Sequence, residues 1–389
     1  VSSSSAIEGA ARRRVLILYG TRPEAIKMAP VVAALRGRPE SLAVTVCTTG
    51  QHRGMLDQVH ALFGLRPDAD LDLMRPDQHP NELAGRSFAP LDALLRELAP
   101  DWMLVQGDTT TALVGALAAF HRRVRVGHVE AGLRTGDLDS PFPEEANRRI
   151  IDLLAGALFA PTARARQNLL AEGLPAERIH VTGNTGIDAL HMAAASLPRD
   201  SPAAEVLVTV HRRESFGEPL ERIFAALRAL AARFPEVRWV LPVHPNPRVA
   251  SVARERLAGL ANVELHEPFD YPEMIRRMRR ARLVLTDSGG VQEEAPAFGT
   301  PVLVLRDKTE RPEGVAAGVA RLVGTDPRRI VTEAVRLLTD PAAHAAMATP
   351  ANPYGDGAAA ARIAGFLADG SYVPFVPAAA AAGGAPGTS

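Results

Sequence analysis

Short runs rich in β-branched residues alternate with stretches of helical periodicity along most of the chain. RVLILY (14–19) precedes AIKMAPVVAALRGR (25–38), LAVTVC (42–47) precedes MLDQVHALFG (55–64), and WMLVQ (102–106) precedes TALVGALAAFHRR (111–123). VRVGHV (124–129) precedes a helix that starts after Pro143. Strands alternating with helices of this length predict βαβ units and a parallel sheet. The alternation breaks in GNTGIDALHMAAASLPRDSPA (183–203) and restarts after Ser201 with EVLVTV, a helix from Pro219 to Phe234, VRWVLPV, a helix from Pro247 to Leu260, NVELHE, RLVLTD, a helix from Val291, and PVLVLR. The pattern therefore predicts an α/β chain of two Rossmann-like doubly wound domains facing a cleft. The expected boundaries are 12–185 for the N-terminal domain, 186–356 for the C-terminal domain, and 357–368 for a last helix that packs back on the N-terminal domain. The Ser/Ala-rich residues 1–11 and the Ala/Gly/Pro tail 377–389 have too little apolar content to join a core and are expected to be disordered.

Composition narrows the function classes. With 389 residues, 47% of them hydrophobic, the chain can build two cores. Its 44 basic side chains balance 44 acidic ones, so nothing draws nucleic acid or an anionic membrane in bulk, and an anionic ligand must be held by local groups. The single cysteine, Cys47 in AVTVCTT, excludes an intramolecular disulfide and reads as a buried strand thiol, in keeping with a reducing cytoplasm. The apolar run VLILYG after Arg14 is too short for a signal peptide, and no run approaches a membrane span, so a soluble cytoplasmic protein is expected.

Candidate chemistry gathers at strand ends, where open α/β sheets bind ligands. VGHVEAGLRTGDLDSPFPEEANRR (126–149) packs His128, Glu130, Arg134, Asp137, Asp139, Glu144, Glu145 and Arg148 into one stretch. Glu144 and Arg148 are i and i+4 on one helix face, with Pro141 and Pro143 fixing the entry to that helix. The stretch reads either as an active-site floor or as a solvated loop feeding an amphipathic helix. Gln106-Gly107-Asp108 ends another strand before three threonines, so Asp108 is either a helix N-cap or, with Glu130 and Glu144 at nearby strand ends, one of several convergent acids. Gly20-Thr21-Arg22-Pro23-Glu24 joins the first strand to a helix, an arrangement that offers N–H groups to a phosphate. In the second half, His211-Arg212-Arg213 leaves a strand as an anion-binding turn, and PVHPNP holds His244 in a stiff turn. LTDSGGVQEEAP places Ser288, Gly289 and Gly290 at a helix start, where the glycines let a diphosphate approach the backbone and Glu294 can accept from ribose hydroxyls. The GxGxxG and GxxxxGK[ST] patterns are absent, as are HExxH-type metal spacing and GxSxG, so no dinucleotide cofactor, metal or hydrolase nucleophile is indicated.

Read as an ordered set, GTRPEAIKMAP, TGQHRGMLDQV, GDTTTALVGALAAF, GHVEAGLRTGD, SPFPEEANRR, PVHPNP, LTDSGGVQEEAP, TERPE and NPYGDG make the chain resemble the non-hydrolysing bacterial UDP-N-acetylglucosamine 2-epimerases from about Arg14 to Leu367. The resemblance implies a glycosyltransferase-B type of fold, a homodimer, no cofactor or metal, and interconversion of UDP-GlcNAc and UDP-ManNAc. It implies elimination of UDP to 2-acetamidoglucal followed by re-addition, because C2 is too weakly acidic for simple deprotonation. By motif it assigns Asp108, Glu130 and Glu144 as catalytic acids, Arg148 as an active-site arginine and His211 as the histidine near the diphosphate. Arg22, Lys27, Gln51, His244, Ser288, Gly289, Gly290, Glu294 and Arg311 are implied to hold the substrate and its UDP. Two alternatives stand beside it: a glycosyltransferase of the same fold, which would need an acceptor, and a hydrolysing epimerase that releases UDP and free ManNAc. One departure carries its own expectation. Relatives bind an activating second UDP-GlcNAc through the QHR turn and a loop arginine; here Gly54 follows the turn and Asp77 aligns with that arginine, which implies weak or absent substrate activation.

Overall fold

The computed structural model describes residues 12–50, 53–73, 75, 78–198, 204–212, 216–243, 246–349 and 352–377. The terminal stretches expected to be disordered fall outside these residues, apart from Pro377.

The chain opens with β1 (Arg13–Tyr19), α1 (Arg22–Arg36), β2 (Leu42–Thr48), α2 (Arg53–Phe63), β3 (Ala69–Asp70) and α3 (Pro80–Leu98). It continues through β4 (Trp102–Gln106), α4 (Thr110–His121), β5 (Arg125–Val129), α5 (Glu144–Leu154), β6 (Ala157–Ala160), α6 (Ala163–Ala171), β7 (Ile179–Val181) and α7 (Thr185–Ser196). All seven strands pair in parallel in the order β3-β2-β1-β4-β5-β6-β7. The order reverses between β1 and β4, which opens a ligand-sized crevice at their carboxyl ends. Strand β4 is buried throughout and β1 from its third residue on, so these segments read as continuous apolar runs instead of alternating ones.

The second half holds β8 (Glu205–Thr209), α8 (Glu218–Arg233), β9 (Arg238–Pro242), α9 (Pro247–Leu257), β10 (Val263–His266), α10 (Tyr271–Arg280), β11 (Leu283–Thr286) and α11 (Gly289–Glu294). β12 (Val302–Val304), α12 (Pro312–Ala316), β13 (Ala320–Leu322), α13 (Pro327–Thr339) and α14 (Pro341–Met347) complete it. Its sheet is again parallel, in the order β10-β9-β8-β11-β12-β13, with the reversal between β8 and β11. Trp239, Phe224, Leu227, Leu283 and Leu303 lie in its core. Two Rossmann-like units of this kind in one chain make a glycosyltransferase-B-like α/β architecture.

Contacts divide the chain into a unit running to Ala189 and resuming over Gly355–Val376, and a unit of Leu190–Tyr354. The last helix, α15 (Ala359–Asp369), packs on α1 within the first unit. Its first N–H groups point at the buried Asp188, which accepts from Ala359 at 3.3 Å and Ala360 at 2.8 Å. Strands β3, β6, β7 and β13, two to four residues long, are the ones the pattern along the chain does not single out. Among the described residues no helix is long and apolar enough to cross a membrane.

Candidate active site

At the switch point of the first sheet, three strand ends bring charge together. After β1, the buried Glu24 in the first turn of α1 accepts from the N–H groups of Gly20 (3.1 Å) and Thr21 (2.7 Å) and from the hydroxyl of Thr109 (2.7 Å). Burial pushes its carboxyl up, and these donors offset the push only in part. Glu24 thus ties the turn after β1 to the turn after β4, leaving Arg22 half-exposed at the mouth of the turn.

After β4, the N-cap of α4 is Thr109, whose hydroxyl accepts from the Ala112 N–H at 3.0 Å. The capping role weighed for Asp108 therefore belongs to its neighbour. Asp108 instead takes a hydrogen bond from the Nη2 of Arg148, one helical turn after Glu144 on α5, and its backbone carbonyl accepts from Asn147 at 2.9 Å. After β5, Glu130 adopts a left-handed backbone (φ 71°), an uncommon conformation for a residue with a Cβ. That turn aims its carboxylate back at β4: Lys27 pairs with it at 2.5 Å, and Gln106 donates to its second oxygen. Asp108 and Glu130, the acids of adjacent strands, thus each pair with a cation, Arg148 and Lys27 respectively.

Beneath this rim lies a polar layer built on the fully buried His128 and Asp152. His128 donates from Nε2 to the Gly107 carbonyl (2.7 Å) and faces Asp152 through Nδ1 (2.6 Å). Asp152 also takes the N–H of Gly132 (3.3 Å) and an Nη of Arg134 (2.7 Å), and Arg134 in turn grips Glu172 with two further bonds of 2.8 and 2.7 Å. Burial opposes the charge on Arg134, but Glu172 and Asp152 override it and hold the guanidinium above its ordinary value. Gly132 has φ 86°, and a Cβ there would stand 2.4 Å from the Ala165 carbonyl, so only glycine fits. Glu145, also buried, receives Arg148 and the N–H groups of Thr135 and Gly136.

The second unit repeats the placement at its own switch point. After β8, the backbone N–H groups of His211 (3.1 Å) and Arg212 (3.0 Å) donate to Asp287, a fully buried acid just past β11, and His211 Nδ1 lies 3.4 Å from the same carboxylate. Ser288 caps α11, and a Cβ on Gly289 would meet the Arg311 guanidinium at 3.0 Å and Arg212 at 3.2 Å. Arg212, Arg311 and Arg306 converge on Glu310, at 3.1, 2.8 and 2.6 Å respectively. Burial pushes the Glu310 carboxyl up, but Arg311, Arg306 and Arg212 together hold it down to about 2. Arg311 also pairs with Glu293 (2.8 Å), and Glu294 accepts from the Tyr271 hydroxyl at 3.4 Å.

Of the residues singled out in the sequence, Arg22, Lys27, Asp108, Glu130 and Arg148 gather at the carboxyl ends of β1, β4 and β5, and His211, Ser288, Gly289, Gly290, Glu294 and Arg311 at those of β8 and β11, while Glu144 opens α5 one turn before Arg148. Gln51, His244 and Asp77 lie outside the described residues. The sequence reading left out Glu24, Gln106, Asn147, Asp152, Asp287, Glu293 and Glu310 as site groups. A signal existed for six of them: Glu24, Gln106, Asn147, Asp287, Glu293 and Glu310 sit inside the motif stretches quoted above. Asp152 has none, since it lies among apolar residues in RIIDLLAG.

A profile of the UDP-N-acetylglucosamine 2-epimerase family matches residues 33–368. The UDP-N-acetylglucosamine 2-epimerase of Salmonella typhimurium is 52% identical over 365 residues, covering 90% of this chain and 97% of the relative. That of Escherichia coli K12 is 51% identical over 365 residues, with the same coverage of both chains. Among solved structures, the Neisseria meningitidis UDP-GlcNAc 2-epimerase bound to UDP-GlcNAc superposes with a TM-score of 0.80 at 43% identity, over 89% of this chain and 97% of that one.

Proposed function

The chain belongs to the UDP-N-acetylglucosamine 2-epimerase family, and from that premise we propose how its residues divide the work of converting UDP-GlcNAc to UDP-ManNAc. Its activity is that of an isomerase acting on a nucleotide sugar. The observation that carries the reading is the pairing at the ends of β4 and β5, where Asp108 with Arg148 and Glu130 with Lys27 set two carboxylates side by side, each beside its own cation.

Inversion at C2 requires a proton to leave from one face and another to arrive on the opposite face. We assign both transfers to the set Asp108, Glu130 and Glu144. A carboxylate of this set takes the C2 proton, the C–H pair becomes the C1=C2 bond, and the C1–O bond breaks so that its electrons leave with UDP. The intermediate is 2-acetamidoglucal. Addition runs these steps backwards, with the proton delivered to the other face of C2 and the UDP oxygen returning to C1. Arg22, His211 and Arg311, with the N–H groups of the Ser288-Gly289-Gly290 turn, stabilise the charge that builds on the leaving diphosphate. His244 and Glu294 complete the UDP contacts, and Lys27 and Gln51 are assigned to substrate binding. No step of this sequence transfers a hydride or an electron, since each is a proton transfer coupled to elimination or addition, so none calls for a redox cofactor. A reducing cytoplasm suits the buried Cys47, whose thiol burial pushes up to about 12.

The working unit in this reading is a homodimer. Phe120 on α4 (53% exposed) and Ile150 and Leu153 on α5 (41% and 67%) form an apolar face on one helix pair, rimmed by Arg123, Arg125 and Arg178. A patch of this kind marks an interaction surface, and a second copy of the chain is the partner assigned to it.

The deciding experiment is incubation of the pure protein with UDP-GlcNAc in deuterated water, followed by NMR. Deuterium at C2 of UDP-ManNAc and of recovered UDP-GlcNAc is expected, with traces of glucal and UDP. Accumulation of UDP with free ManNAc would assign the chain to the hydrolysing reaction, and absence of C2 exchange together with UDP release only when a sugar acceptor is added would assign it to glycosyl transfer.

A further inference from the structure

Asp152 is fully buried on α5 and is bound directly by His128, Gly132 and Arg134, all from β5 and the turn that follows it. Through His128 it holds the Gly107 carbonyl, immediately before Asp108; directly, it holds the N–H of Gly132, two residues after Glu130. The next carbonyl along, that of Asp108, is taken by Asn147 from the same helix. The two acid-bearing turns are therefore fastened to one side chain. We propose that Asp152 is a positioning residue for the epimerase reaction, acting through His128 on Asp108 and through Gly132 on Glu130 to fix the spacing of the two carboxylates. The proposal rests on the assignment of proton transfer to those acids.

Alternatives to a positioning role are limited by the chemistry of the layer. Asp152 cannot reach a substrate, since it is fully enclosed. A purely space-filling role is served better by an apolar residue, because a buried carboxylate has a desolvation cost that only well-placed donors offset. Here the donors come from His128, Gly132 and Arg134, and all three belong to β5 and the turn after it, the segment that carries Glu130. The left-handed backbone of Glu130 (φ 71°) is a conformation that a residue with a Cβ holds only with outside support, and the Gly132 N–H bound by Asp152 lies two residues on. A displacement of about 1 Å in a reacting group is enough to cost about a hundredfold in rate.

The test uses the full-length protein with Asp152→Asn, His128→Leu, His128→Gln and, as a separate reference, Asp108→Asn. Asp152→Asn keeps the shape but has one acceptor oxygen where the carboxylate has two, so its N–H must face either His128 Nδ1 or the Gly132 and Arg134 donors. It should lower kcat by about ten- to a hundredfold with KM for UDP-GlcNAc within about twofold. The C2-deuterium isotope effect on kcat should rise, since misplaced carboxylates slow proton transfer selectively. His128→Leu should behave the same way, and His128→Gln, whose amide can still donate to the Gly107 carbonyl, should recover most of the lost turnover. A loss of kcat that only tracks the folded fraction by circular dichroism, with the isotope effect unchanged, would overturn the proposal, as would a His128→Gln enzyme no better than His128→Leu. If Asp108→Asn itself turns over normally, the acid assignment fails first; if Asp108→Asn is inactive while Asp152→Asn is normal, the positioning role alone is wrong.

Discussion

Asp108 and Glu144 differ in their surroundings, and so do the consequences of removing them. Asp108 is bridged to Arg148 and held by its own carbonyl, whereas Glu144 stands in the first turn of α5, where the helix N-terminus favours a negative charge. Asp108→Asn and Glu144→Gln are each expected to lower kcat by roughly two to four decades while UDP binding, measured by calorimetry, stays within a few-fold. Near-wild-type turnover in both would remove them from the reaction. Glu310 invites a different measurement. Three guanidiniums depress its carboxyl to about 2 from an ordinary 4.5, so the folded state holds its proton more weakly than the unfolded state does. Its ionised form therefore contributes stability above about pH 4.5, and this contribution, at most about 3 kcal/mol, is lost as the pH falls towards about 2. The stability gap between the wild type and Glu310→Gln in urea unfolding should narrow from pH 6 to pH 3; a gap that does not change over that range contradicts the ion cluster.

At the scale of elements, α5 organises the candidate site from within. Its inward face presents Glu145, Arg148 and Asp152 at helical spacing, a polar seam with a partner at each position, while Ile151 between them faces the apolar core. The capping of α15 is a second element-scale contact, and its charge sense is opposite to that of Glu310. Burial pushes Asp188 up to about 6; the N–H groups of Ala360 and Ala359 pull it back only in part, and Asp356 adds to the push. The folded state here binds the proton more tightly than the unfolded state, so the ionised group is costly at neutral pH by up to about 3 kcal/mol and the cost is relieved as pH falls from about 6 to about 4. Stability of the wild type relative to Asp188→Asn should rise between pH 7 and pH 4.5, a window that lies mostly above that of Glu310. A flat difference would mean that the carboxyl is hydrated and that α15 is not docked through it.

At the scale of the molecule, assembly is the property most open to a direct check. Two lysines at the centre of the apolar face, Phe120→Lys with Leu153→Lys, should convert a dimer to a monomer in sedimentation equilibrium while the far-ultraviolet circular dichroism is retained, because both side chains project from helix surfaces into solvent within one unit. A wild-type protein already monomeric at micromolar concentrations would rule out that face as the dimer contact.

How much of this was legible in the chain depended on how local each signal is. The βαβ rhythm, the two-domain α/β class and the family were all legible without coordinates, because strand-helix periodicity and motif order are properties of neighbouring residues. The acids at strand ends were legible for the same reason: a parallel sheet sends every carboxyl end to one side, so position in the pattern predicts location. What only the tertiary structure decided is which charges meet. Lys27 and Glu130 are 103 residues apart in sequence, Asp108 and Arg148 are 40 apart, and Arg212 and Glu310 are 98 apart; no spacing rule couples them. Asp108 gave up the cap to Thr109 because Arg148 and Asn147 on a distant helix bind it in the other role. Asp152 is the extreme case. In sequence it is one acid in an apolar helix, and only the folding of β5, α5 and the Gly132 turn around it supplies the three donors that offset the cost of a fully buried carboxylate.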